Sequence, residues 1–154
     1  MIDLQRIFLG CLTWLALVNL GLQAAEKTPD DCAFFRYVGS DGAAMVAYTP
    51  SELDPRNADN QVNLPSSSIR ADLAAIRPAF DGLFTYGYHE GCTPRILSIA
   101  KALKYRAVMI GIWQPKSADE LDGVAKLVEQ HQDALALTLV IGNDGQFFKP
   151  YLED

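Results

Sequence analysis

Four times along the chain a short apolar run meets a polar loop, and after the first three a stretch follows whose apolar positions recur at helical spacing. The apolar runs cover residues 43–48, 83–88, 107–113 and 135–141, and Thr49-Pro50 and Gln114-Pro115 stop the first and third. Runs of this length bounded by turn residues predict strands. After the first, residues 51–65 are rich in Asn, Asp, Pro and Ser without apolar period, which predicts a long loop. A helix then follows Pro65, with Ile69, Leu73 and Ile76 on one face, and ends by Arg77 because Pro78 disfavours helix in the residue before it. Thr93-Pro94 predicts a second helix, a hydroxyl N-cap followed by proline at the first helical position, with Ile96, Ile99, Ala100 and Leu103 as its stripe. Ser117-Ala118-Asp119-Glu120 matches a capping box and opens a third, with Leu121, Val124, Ala125 and Val128 inward. Residues 147–154 would begin a fourth helix but are too few to show a period. Ahead of all this, residues 33–38 are β-prone and Gly39-Ser40-Asp41-Gly42 is a turn signal, which predicts a small leading strand or hairpin.

Near-continuous apolar strands alternating with one-sided helices predict a parallel sheet covered by helices, an α/β fold. The repeat of roughly 30 residues suits βαβ units. Two architectures fit: about half of a (β/α)8 TIM-type barrel, four βα units, or an open doubly wound sheet. No Gly-x-Gly-x-x-Gly or Gly-x-x-x-x-Gly-Lys follows any run, so nucleotide binding lacks its usual signature.

The N-terminus divides the chain. Residues 7–22 are mostly hydrocarbon, and Gln23-Ala24-Ala25-Glu26 puts small residues where a signal peptidase would cut. Residues 1–25 therefore read as a secretory signal peptide, 26–42 as a linker with a short strand, and 43–154 as the barrel-like part. The competing readings are an uncleaved N-terminal membrane anchor and, through Cys11, a lipoprotein cleavage site. Export, periplasmic or extracellular, is common to all three.

In an oxidising compartment the remaining Cys32 and Cys92 form an even pair, compatible with a disulfide or with two free, half-buried thiols. His89, Glu90, Cys92 and His131 show no recognised metal-ligand spacing. The 154 residues are 49% hydrophobic, enough for one domain with a core, and a net charge of -6 without basic runs argues against nucleic acid.

In either architecture ligands sit over the carboxyl ends of the strands. Those ends carry Tyr48-Thr49, Tyr86-Gly87-Tyr88, Trp113-Gln114 and Asn143-Asp144. Aromatic faces cover the C–H side of a pyranose while polar groups bond its hydroxyls. Asp144 is placed to act as general acid, and Asn143 to bond a sugar 2-hydroxyl. Against this, Asn143-Asp144-Gly145 is also strong turn chemistry. His89-Glu90 is one further candidate pair, in the loop after the second strand, with a solvated loop pair as the plain reading.

Several segments resemble bacterial glycoside hydrolase family 17, the β-1,3-glucanase and glucan-glucosyltransferase-like enzymes. They are Ile69-Arg70-Ala71-Asp72-Leu73, the run from Phe80-Asp81-Gly82 to Tyr86, the run from Ala107 to Trp113, and Val140-Ile141-Gly142-Asn143. The resemblance runs from about Tyr48 to Gly145. It implies a (β/α)8 barrel, a retaining mechanism on β-glucans, and no metal or organic cofactor. It maps the family's substrate-binding tyrosines to Tyr48 and Tyr86, its tryptophan to Trp113, and its Asn-Glu pair to Asn143 and Asp144.

Two departures matter. The acid/base is Asp144 where the family has Glu, one methylene shorter. The family's nucleophile follows the seventh strand, and this chain ends just past the fourth. The reading is therefore the N-terminal half of an exported glycosidase-like barrel, incomplete as given. Its rival is a non-catalytic exported carbohydrate-binding or interaction protein on a remnant barrel. A sheet of four units would also leave an unpaired apolar edge through which copies could associate.

Overall fold

The computed structural model describes residues 32–54, 56–57 and 59–141. Its elements run α1 (Ala33–Val38), β1 (Met45–Ala47), α2 (Asn60–Asn63), α3 (Ser66–Ile76), β2 (Gly82–Thr85), α4 (Thr93–Ala102), β3 (Ala107–Ile112), α5 (Ala118–His131) and β4 (Ala136–Ile141). The four strands form one parallel sheet in the order β1-β2-β3-β4. The fold is thus α/β with alternating βα units, and among the described strands the order never reverses. No helix among the described residues is long and apolar enough to cross a membrane. The signal-peptide segment and the residues after Ile141 lie outside the described residues.

Side chains alternate between the faces of a strand, and the register carries that alternation across the sheet. Val46, Leu83, Val108 and Leu137 are paired in one row. Together with Ile110 and Ile112 they share a core with Ile69 and Leu73 of α3, Ile96, Leu97 and Ile99 of α4, and Val124 and Leu127 of α5. The three long helices among the described residues therefore cover the same face. Leu83, Val108 and Ile110 are wholly buried there, each contributing roughly 1.5–3 kcal/mol of hydrophobic stabilisation. Toward β4 the cover thins, and Leu139 and Ile141 are 42% and 69% exposed.

The other face carries no long helix among the described residues. At the amino ends of the strands it is closed by α1, whose Phe34 and Tyr37 pack on Met45, Ala107, Met109 and Ala136. A Cβ at Gly82 would overlap the Tyr37 hydroxyl and the Met45 side chain, so glycine there is what lets α1 approach. Asp81 fastens the same end. It accepts from the Tyr37 hydroxyl at 2.7 Å, from the Ala44 N–H at 3.0 Å, and from Arg106 at 2.9 Å. Burial raises the Asp81 pKa, but these bonds and the nearby guanidinium outweigh it and hold the carboxyl below its ordinary range.

Several expectations are corrected. Residues 33–38 form a helix, not a strand, because Phe34 and Tyr37, three apart, bury together while Phe35 and Val38 stay exposed. In α5 the inward face is Glu120, Gly123, Val124, Leu127 and His131. Leu121 and Ala125 are exposed, because at helical spacing they lie well round from the stripe that Glu120 starts at the end of β3. Residues 51–65 are a loop interrupted by the single turn α2, which Arg95 secures by donating to the carbonyls of Val62 and Leu64. For Cys32 and Cys92, left open between a bridge and two free thiols, the structure has the second arrangement. Both thiols are free, with Cys32 against the α1 cluster and Cys92 buried in the main core.

Candidate functional site at the carboxyl ends of the strands

The strand ends split the expected cleft residues between two faces. Tyr48 continues β1, its N–H bonded to the Phe84 carbonyl at 2.9 Å. It shares the parity of Val46 and so turns toward the helices, where it is buried. Its hydroxyl donates to Asp72 of α3 at 3.1 Å, and Asp72 also accepts from the Ser51 N–H and hydroxyl at 2.9 and 2.8 Å. Burial first, and the Asp72 charge second, push the Tyr48 phenol far above its ordinary value. Tyr48 is a core residue that pins α3, and it does not join the aromatic group expected around the cleft.

Tyr86 lies on the opposite, helix-free face with Phe84, and Trp113 is the residue that follows β3. Tyr86 follows β2, is 45% exposed, and its ring stands 5.0 Å from Phe84 at a 54° tilt. The segment carrying it crosses closely over β3. A Cβ at Gly111 would overlap the carbonyls of Thr85 and Tyr86, and one at Gly87 would lie 3.5 Å from the Trp113 Cβ. The Tyr86-Gly87 backbone is therefore packed against the end of β3, next to Trp113. Asn143 and Asp144, the amide and acid of the sequence reading, lie outside the described residues.

Glu120 is the residue the sequence reading placed but misjudged. Half of the predicted capping box exists: the Glu120 N–H donates to the Ser117 hydroxyl at 3.3 Å. The carboxylate does not return to Ser117, whose N–H bonds the Gln114 carbonyl at 2.8 Å. It accepts instead from the backbone N–H groups of Trp113 at 2.8 Å, Gln114 at 2.6 Å and Tyr88 at 3.4 Å. A buried acid on α5 thus ties the ends of β2 and β3 together. The available signal was the short spacing from strand end to helix start, which puts the third helical residue within reach of the strand's last amides.

Beside this anchor lies an open depression of about 530 Å³, with Tyr88, His89, Glu90, Gln114, Asp119 and Glu120 in its wall. His89 here serves the start of α4. Its N–H donates to the Thr93 hydroxyl at 2.8 Å, its Nδ1 accepts from Gly91 at 3.1 Å, and its carbonyl takes the N–H groups of Cys92 and Thr93. Thr93 is accordingly the first residue of the helix rather than its cap, which is Cys92. Burial raises the Cys92 thiol pKa, outweighing the nearby Arg95, so this thiol is kept protonated. Glu90 stays exposed. The carboxylates and amides of this wall can accept from or donate to sugar hydroxyls, and Tyr88 in the same wall offers an aromatic ring. Among the described residues no group of three or more His, Cys, Asp or Glu could hold a metal ion. Comparison with protein-family models, curated proteins and solved structures found no match for the chain.

Proposed function

We propose that this protein is a glycoside hydrolase-like, exported β-glucan-recognising protein built on about half of a (β/α)8 frame. The helix-free face at the carboxyl ends of β2 and β3 is its sugar surface. The single observation that carries the reading is the close crossing at Gly111, which packs the backbone of Thr85 and the exposed Tyr86 against the end of β3, two residues before Trp113. The barrel half is supported by sequential parallel strands with the long helices, among the described residues, on one side. An open doubly wound sheet reverses its strand order and carries helices on both sides.

In this reading Tyr86 and Trp113 stack on the apolar faces of successive glucose units, Asn143 bonds a 2-hydroxyl, and Asp144 stands at the acid/base position. A second reading, recognition without cleavage, is favoured by one observation. Among the described residues the helix-free face carries no carboxylate: its rows read Met45 and Ala47, Gly82 and Phe84, Ala107, Met109 and Gly111, Ala136, Thr138 and Val140. A retaining mechanism needs two carboxylates about 5–5.5 Å apart.

Incubation with laminari-oligosaccharides, following binding heat and reducing ends together, tests both. Binding that Trp113→Ala and Tyr86→Ala each weaken roughly tenfold, with reducing ends that Asp144→Asn abolishes, supports the hydrolase. Binding with no new reducing ends supports the recognition protein. Absence of binding heat at millimolar oligosaccharide would sink both.

A further inference from the structure

At the other end of the sheet, beneath the amino ends of β3 and β4, lies a second open depression, of about 670 Å³. Four cationic side chains line it, Arg36, Lys101, Lys104 and Arg106, and no carboxylate does. That grouping runs against the composition of a chain whose net charge is -6, since surfaces ordinarily intersperse both signs. Arg106 is already held, by Asp81 at 2.9 Å and by the Ser40 hydroxyl at 2.7 Å, with its guanidinium 5.0 Å from the centre of the Tyr37 ring. Arg36, Lys101 and Lys104 have no ion-pair partner among the described residues.

Backbone strain marks the same place independently. Lys104 has φ +61°, the one positive φ at a non-glycine position among the described residues. It ends α4 in a Schellman turn: its N–H bonds the Lys101 carbonyl at 3.1 Å, and the Tyr105 N–H bonds the Ala100 carbonyl at 3.0 Å. Glycine is the usual residue there, because a Cβ crowds the backbone in that conformation. Arg77 fixes the turn by donating to the carbonyls of Leu103 and Lys104 at 3.2 and 2.8 Å. A lysine therefore stands where the backbone favours glycine, and that lysine lines the cationic depression. Strain of this kind points toward function when the side chain has somewhere to act.

We infer that the depression formed by α1, the end of α4 and the start of β4 binds a compact multivalent phosphoanion of the pyrophosphate class, with Arg36, Lys101 and Lys104 as its ligands. Arginine forks and lysine ammonium groups both bind phosphate oxygens. The volume exceeds a single phosphate and falls in the range of small-ligand sites. Three unpaired cations favour a multivalent anion over chloride. This site is separate from the sugar face and does not depend on it.

The test is calorimetric titration of the full chain with inorganic pyrophosphate at low ionic strength, with orthophosphate and chloride as controls. One site, tighter for pyrophosphate than for orthophosphate and weakened at least about tenfold between roughly 0.05 and 0.5 M salt, is expected. Lys104→Gly should melt no lower than the unaltered chain yet bind about fivefold more weakly, so a loss of binding cannot be ascribed to misfolding. The double variant Arg36→Gln, Lys101→Gln should bind at least about tenfold more weakly. No pyrophosphate heat at millimolar concentration, or unchanged binding in these variants, overturns the inference. So does co-sedimentation with phosphatidylglycerol vesicles in a chain that takes up no pyrophosphate, which would make the patch a lipid-facing surface.

Discussion

The carboxylate of Glu120 accepts the backbone N–H of Trp113 at 2.8 Å, so the first turn of α5 holds the carboxyl end of β3. The same carboxylate takes Gln114 and, more loosely, Tyr88. Through backbone alone, one buried acid sets where the Trp113 ring starts.

Glu120→Ala should therefore be among the costliest substitutions outside the hydrocarbon core. It strands two well-bonded N–H groups, and hydrogen bonds to a charged partner each contribute roughly 1.5–3 kcal/mol. A loss of about 3 kcal/mol in urea unfolding is expected. Glu120→Gln keeps one acceptor oxygen and should lose about half as much. If the Ala variant unfolds at the same urea concentration as the parent, the anchor has no energetic weight.

Gly111 permits the close crossing of the Thr85-Tyr86 backbone over the end of β3. A methyl group there meets the carbonyls of Thr85 and Tyr86, which are backbone atoms and cannot swing aside as a side chain would. Gly111→Ala should cost about 1–3 kcal/mol, the usual penalty for overpacking. It should also displace the Tyr86 segment. Chemical-shift changes confined to residues 85–88 and 111–113 would show this, and a spectrum unchanged there would refute it.

The four strands and the extent of the three long helices were legible because each depends on local pattern. Strand runs end at Thr49-Pro50 and Gln114-Pro115, and Ile69 with Leu73 marks the buried side of α3. The errors share one cause, the choice between two periods over a few residues. Over residues 33–38 the β-prone composition hid a three-residue spacing. At Tyr48 an aromatic at a strand end was assigned to the cleft, although its parity with Val46 sends it to the helices. Glu120 could not be resolved from sequence alone, because a capping-box acid can bond its own turn or the preceding strand, and the distance between α5 and β3 decides which. The cationic depression was only half legible: Lys101, Lys104 and Arg106 fall within six residues of sequence, but only the tertiary fold brings Arg36 of α1 to them.

Three phenols are held neutral by the fold, and this fixes the alkaline limit of stability. Burial, then the bond to Asp81, raises the Tyr37 pKa to about 12. Tyr48 is raised further, and burial raises Tyr105. In the unfolded chain each ionises near pH 10. Stability is therefore complete below about pH 10 and falls as pH rises toward 12, because only the unfolded state releases the protons. Absorbance at about 295 nm should show these phenols ionising together with loss of helical circular dichroism. Smooth titration of every tyrosine near pH 10 in a still-folded chain would contradict the burial of all three.

His131 sets a corresponding acid dependence. It closes α5, is buried, and its Nδ1 has no hydrogen-bond partner among the described residues. Burial first, and the positive charge of Lys101 second, lower its pKa below 6.5. The unfolded chain then takes up a proton near pH 6.5 that the folded chain refuses. The stability tied to neutral His131 is full above that pH. It declines as pH falls below it, and levels off once the folded imidazole also protonates. His131→Gln removes the proton-binding site, so the difference in unfolding free energy between parent and variant should shrink steadily as pH is lowered from about 7 to 5. A difference that stays constant across that interval would mean that the imidazole titrates equally in both states, and that its burial carries no linkage.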